Sequence, residues 1–130
     1  MRKRLWVFVL VILVVCALST SAFAKTVTQT GRTSSGSSGI LYTHASLFID
    51  GSHARAETSA GSSDGATLET TVNFCFINSK GHEQWASDSG SSAASAAGDP
   101  MKAVRATSTH EVDGGSRWGN WTVNLSVNYS

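Results

Sequence analysis

Residues 120–130 read NWTVNLSVNYS, in which Trp121, Val123, Leu125, Val127 and Tyr129 take every second place and Asn, Thr and Ser fill the places between. A strand sends successive side chains to opposite faces, so this spacing makes one greasy face and one wet one. It predicts a strand that closes a core. Upstream, AVRATSTHEVDGG (103–115) alternates in step, and Gly114-Gly115 suits a two-residue hairpin loop. That loop sets Asp113 against Ser116, Val104 against Leu125, Ala106 against Val123 and Ser108 against Trp121. Arg105, Thr107 and Thr109 then meet Asn124, Thr122 and Asn120 on the outer face, and His110 lies inward opposite Gly119. A slip of one residue would mix the two faces.

The same logic runs outward to the rest of the chain. ILYTHASLFID (40–50) alternates Leu41, Ala45, Leu47 and Ile49 against Tyr42, His44, Ser46 and Phe48, and Asp50-Gly51 signals a hairpin. A two-residue loop pairs Ile49 with Ser52, Leu47 with Ala54 and Ala45 with Ala56; on the other face His44 meets Glu57 and Phe48 meets His53. ATLETTVNFCFI (66–77) turns Leu68, Val72, Phe74 and Phe76 one way and Glu69, Thr71, Asn73, Cys75 and Ile77 the other. Being apolar on both sides near its end, it reads as a central strand. Asn78–Gly81 makes a turn and HEQWAS (82–87) returns, SDSGSS (87–92) reads as loop, SAASAA (92–97) as a poor strand or connector, and Gly98-Asp99-Pro100 as another turn. Six or seven short strands joined this way predict an all-β fold, an antiparallel β-sandwich of immunoglobulin-like type.

Before the sandwich come two segments of different composition. Arg2, Lys3 and Arg4 precede an unbroken apolar run from Leu5 to Leu18 that ends in Ala22-Phe23-Ala24, the pattern of a secretory signal peptide cleaved after residue 24. The run spans 14 residues, short of the roughly 20 that a membrane-crossing helix needs. No membrane span is therefore expected after cleavage. KTVTQTGRTSSGSSG (25–39) has little to bury and reads as a flexible lead-in with a short edge strand at Val27. The expected sandwich domain is 40–130.

Composition narrows the chemistry. After residue 24 there remain seven Lys and Arg against nine Asp and Glu, about −2, so the basic footprint of a nucleic-acid binder is absent. Cys75 is the one cysteine of that part, which rules out an internal disulfide and leaves packing to hold the fold. Set between Phe74 and Phe76, it reads as a buried thiol, the alternative being an intermolecular disulfide.

His44, His53, His82 and His110 show no paired metal-ligand spacing, so no metal and no cofactor is expected. No G-x-S-x-G elbow occurs, GSSDG (61–65) fits a turn, and the glycines lack the lysine and helix of a phosphate loop. His110 on the inner face reads as a packed, hydrogen-bonded core histidine. The order of leader, polar lead-in, hairpin, aromatic strand, glycine turn with Trp85 and then AVRATSTHEVDGGSRW (103–118) resembles small secreted β-sandwich proteins of Gram-positive bacteria, over residues 40–129. That resemblance implies a fold and a location and brings no activity with it.

The function expected from these features is a secreted or cell-surface binding or structural module that is not an enzyme. Its partner would be an extracellular protein or a glycan. The candidate binding surface is Tyr42, Phe48 and Trp118, a stacking platform for a sugar ring or a partner protein; the competing expectation is that a second sheet covers these rings. The alternative function is a small secreted antibacterial factor, which combines a leader and a compact β-fold in the same way.

Overall fold

A computed structural model describes residues 24–61 and 66–129. The expected leader, apart from Ala24, and most of the GSSDG turn lie outside the described residues. Among the described residues, eight strands form two four-stranded antiparallel sheets. The first sheet has the order β1-β2-β3-β6, with β1 Lys25–Arg32, β2 Tyr42–Ile49, β3 His53–Ala60 and β6 Ala93–Ala97. The second has the order β5-β4-β7-β8, with β4 Thr67–Ile77, β5 Glu83–Gly90, β7 Lys102–Asp113 and β8 Asn120–Asn128. One helical turn, α1 (Gly115–Trp118), interrupts the last hairpin. No helix among the described residues is long and apolar enough to cross a membrane.

The inner faces of the two sheets meet as the alternation predicts. Leu47, Ile49, Ala54 and Ala56 from the first sheet pack against Val72, Phe74, Phe76, Ala106, Leu125 and Val127 from the second. Phe74 and Phe76 stack with ring centroids 5.3 Å apart, and the small residues Ala94, Ala96, Ala103 and Ala106 make room for them. Trp121, Val123 and Tyr129 are partly buried against this cluster. The central position expected for residues 66–77 holds, since β4 lies between β5 and β7.

The structure corrects several details. Residues 25–32 are an eight-residue edge strand paired along its length with β2, not a flexible lead-in. The backbone bonds of the ladder order it even though only Val27 packs on the core. The β2–β3 register is displaced by two: Ile49 faces Ala54, Leu47 faces Ala56 and Ala45 faces Thr58. The cause is Asp50, whose Oδ1 accepts the Ser52 and His53 amides at 2.7 and 2.9 Å and so builds a longer turn. His44 therefore faces Ser59, Ser46 faces Glu57 and Phe48 faces Arg55.

The β7–β8 register is displaced by four, with Val112 opposite Trp121, His110 opposite Val123, Ser108 opposite Leu125 and Ala106 opposite Val127. The loop is not Gly114-Gly115 alone but the whole of 114–119. Trp118 N–H donates to the Gly114 carbonyl and Gly119 N–H to the Gly115 carbonyl, and Gly115 and Gly119 take positive φ of 60° and 79°. A bulge between Cys75 and Phe76 shifts the β4–β7 pairing from Arg105 to Ala103, so Ala103 rather than Val104 takes the inner place. SDSGSS is not a loop over most of its length, because β5 runs on to Gly90, and SAASAA contains β6.

One end of the sandwich is tied by a clasp between two loops. The carbonyls of Ser116, Arg117 and Trp118 lie in the last positions of the α1 turn, where no helical donor follows. The loop after β1 supplies one to each: Ser37 N–H to Ser116 at 2.9 Å, Ser38 N–H to Arg117 at 2.7 Å, and Thr33 Oγ1 to Trp118 at 2.6 Å. Ser34 N–H donates to the Asn120 carbonyl and Ser34 Oγ accepts from Asn120 N–H. Gly36 is required there, since a Cβ would strike the Arg117 backbone.

Candidate functional site

Sequence reasoning pointed to Tyr42, Phe48 and Trp118, and the structure places them apart. Tyr42 and Phe48 share the outer face of the first sheet but sit at opposite ends of β2, about 20 Å apart at the strand's rise per residue. Tyr42 is 71% exposed. Phe48 is half-buried and tilts against the His53 ring at 5.5 Å between centroids. Trp118 belongs to α1, half-buried by the clasp, with the Arg117 guanidinium 5.4 Å from its ring centroid and Gly39 beneath it. The three therefore do not make a single platform.

An exposed indole lies elsewhere, at a position the sequence does not single out as a binding residue. Trp85 on β5 is 47% exposed, and the Arg105 guanidinium lies 5.4 Å from its ring centroid. Glu83 Oε1 stands 4.0 Å from Arg105 Nη2. Trp85 and Arg105 are the two cross-strand neighbours of Cys75. Together they roof the thiol, which is fully buried although it points away from the inter-sheet core. Burial pushes the thiol pKa up, Glu83 adds to that push, and Arg105 opposes it. A thiol held protonated in this way is a poor nucleophile.

Deeper in the molecule, four side chains form a hydrogen-bonded chain between the sheets. Ser108, His110, Thr58 and Thr70 are all buried, with His110 at 0% and Ser108 at 2% exposure. The direction of the chain follows from its end. Thr70 Oγ1 donates to the Ser91 carbonyl at 2.8 Å, and a carbonyl only accepts. Thr58 must then donate to Thr70 at 2.7 Å, so it accepts from His110 Nδ1 at 2.8 Å. A neutral imidazole carries one proton. Nε2 is therefore the acceptor, and Ser108 Oγ donates to it at 2.6 Å.

That polarity is the one a nucleophilic serine has toward its base. Here the pair is sealed from solvent. Desolvation lowers the His110 pKa, against a backbone hydrogen bond with Glu57 that raises it, so the ring stays neutral at pH 7. The expectation that His110 is a hydrogen-bonded core residue holds, with hydroxyl groups as its main partners in place of backbone.

A concave feature lies on the first sheet. A cleft of about 410 Å³ is lined by Thr30, Gly31, Arg32, Tyr42 and Thr43 at the end of the β1–β2 ladder. Arg32 and Tyr42 are cross-strand partners facing outward, and Gly31 and Thr43 are partners facing inward. Thr43 is buried, and its Oγ1 has no hydrogen-bond partner. Leaving a buried hydroxyl unpaired costs about 1–3 kcal/mol, so the group is held there by its surroundings. A Cβ on Gly31 would lie 3.2 Å from Thr43 Oγ1 and would strike the indole nitrogen of Trp121. Among the described residues, no three His, Cys, Asp or Glu side chains gather as a metal site would require.

No protein-family model matches the chain, and no curated protein or solved structure does either.

Proposed function

We propose that the chain is a secreted or cell-surface β-sandwich, immunoglobulin-like in architecture, that acts by binding an extracellular protein or glycan and catalyses no reaction. The likeness to immunoglobulin domains is one of layers only. In those domains the sheets run ABED and CFG, whereas here β2 lies between β1 and β3, and β7 between β4 and β8. The proposed leader, residues 1–24, accounts for export.

The observation that carries this reading is how the chain divides its reactive and its adhesive groups. Ser108 and His110, the one pair polarised for nucleophilic attack among the described residues, lie dry between the sheets. Tyr42 and Trp85 are exposed, Tyr42 with the Arg32 residue opposite it on the neighbouring strand and Trp85 with the Arg105 guanidinium reaching its ring from two strands away. Tryptophan, tyrosine and arginine are the residue types enriched among the anchors of binding surfaces.

An array of glycans and of intact bacterial and animal cells, probed with the chain and with Tyr42→Ala and Trp85→Ala variants, tests it. Capture that falls in at least one variant is the expected result. Turnover of a glycan, ester or peptide substrate that disappears on a single substitution would overturn it.

A further inference from the structure

We infer that two copies of the chain join through the open edges of β8, which pair antiparallel about a two-fold axis at Leu125 and merge the two second sheets into one continuous sheet. The inference is independent of the binding reading above. Three observations carry it.

The first is an open edge. β8 is the outermost strand of its sheet, with β7 on one side only. The loop after β1 covers its first residue, where Ser34 N–H donates to the Asn120 carbonyl and Ser34 Oγ accepts from Asn120 N–H. Asn120 thus turns its backbone groups away from β7. In an antiparallel ladder that direction alternates along the strand, so Thr122, Asn124, Ser126 and Asn128 turn theirs the same way. No group among the described residues bonds to them there.

The second is the absence of a guard. Sheet edges are ordinarily kept from one another by charge, by shortness or by a cover. Strand β1 ends in Lys25 and Arg32, which a centred antiparallel pairing of two copies would set against each other. Both charges on β5, Glu83 and Asp88, are acidic. Strand β6 has five residues, and its Ser95 N–H is already given to Asp88 at 3.0 Å. β8 carries no charge, no glycine and no proline along its nine residues.

The third is self-complementarity, which says what covers the edge. The residues with open backbone groups are placed symmetrically about Leu125. Pairing on that centre sets Thr122 of one copy opposite Asn128 of the other and Asn124 opposite Ser126, and the two-fold axis repeats each pair. Every open N–H then meets a carbonyl, and amide and hydroxyl side chains meet on the outer face. On the inner face Leu125 meets its own copy, Val123 meets Val127 and Trp121 meets Tyr129. Trp121, Val123 and Tyr129 are only partly buried at the rim of the core, and the second copy covers them.

The test is sedimentation equilibrium of the purified chain, with amide hydrogen exchange across the same concentration series. A dimer should form as concentration rises, and the amides of Thr122, Asn124, Ser126 and Asn128 should gain protection in step with it. The double variant Asn124→Lys, Ser126→Lys sets lysine opposite lysine at both symmetric pairs and should weaken the dimer about tenfold. Both side chains are exposed on the outer face, so the variant keeps the monomer's fold. Asn124→Asp, Ser126→Asp should weaken self-association likewise. An equimolar mixture of the two variants should pair at least as tightly as the native chain, which separates a lost interface from a lost fold. A chain that stays monomeric up to about millimolar concentration, its edge left to an extended segment of another protein, would overturn the inference. So would a dimer in which those four amides exchange as freely as in the monomer, or natively folded variants whose mixture fails to pair.

Discussion

The interior of the sandwich has two halves built on different principles. Toward the β2–β3 turn it is apolar, with Ile49, Leu47, Phe74 and Phe76 set among alanines. Toward the clasp it holds Thr43, Thr58, Thr70, Ser108 and His110 at the same inward positions of the same strands. Apolar packing is non-directional and tolerates changes that keep volume. The polar half is directional: each hydroxyl has one proton to give, and each gift fixes the next. Loss of one member therefore leaves its neighbours unpaired in a dry medium, where such groups are costly.

The contrast can be broken by experiment. The largest effect is expected from Phe74→Ala, which empties the centre of the apolar half and should cost about 3–5 kcal/mol of unfolding free energy in a urea titration. A loss below 1 kcal/mol would mean that the two phenylalanines do not carry this half. Next is Thr70→Val, which keeps shape but strips the donor from the Ser91 carbonyl and the acceptor from Thr58. It should cost about 1–3 kcal/mol. A neutral result would show that the polar half is held by packing like the other.

A smaller effect follows from acid. The folded state depresses the His110 pKa, while the unfolded chain titrates it near 6.5. The unfolded state thus binds more protons once the pH drops below about 6.5, and stability must fall as pH falls from there toward the folded pKa. Above that window the contribution is constant. Urea midpoints measured from pH 8 down to pH 5 in the native chain and in His110→Gln should diverge on the acid side, and parallel curves would remove His110 from the account. The smallest change in stability is expected outside the core. Trp85→Ala removes an exposed cation–π contact, about 0.5–1 kcal/mol, yet it unroofs Cys75. Thiol labelling by a disulfide reagent should accelerate clearly in that variant; an unchanged rate would mean that Arg105 alone covers the sulfur.

Which side chains face inward was mostly legible in the sequence because a strand's period is two, and the two register displacements, of two and four residues, preserve that parity; the exception is Val104, which yields the inner place to Ala103 at the bulge. Leu47, Ala54, Ser108 and His110 all fall on the faces that alternation assigns them. Register itself was hidden, because it is set by loops whose length depends on tertiary partners. The Asp50 carboxylate makes its own turn, and the α1 turn exists in company with the 33–38 segment. Of strand β1 only a short edge piece at Val27 was legible, because the rest is polar on both faces and owes its order to the ladder. At the site level, Tyr42 stood out by its place opposite the aliphatic face. Trp85 did not, since exposure of an edge-strand ring depends on what the next strand covers. The partners of His110 were illegible for a simpler reason: Thr58 reaches it across the sheet interface from a strand far off in sequence, and Thr70, opposite it on β4, is joined to it through Thr58.

The clasp also dictates an order of events. Thr33 and Ser34 bond to Trp118 and Asn120, partners 85 and 86 positions further along the chain. During synthesis, segment 33–38 must wait, unmatched, until residues 116–120 have emerged. Contacts so distant in sequence slow assembly, so the finished sandwich forms late, and a chain cut short before residue 116 has no partner for the 33–38 loop.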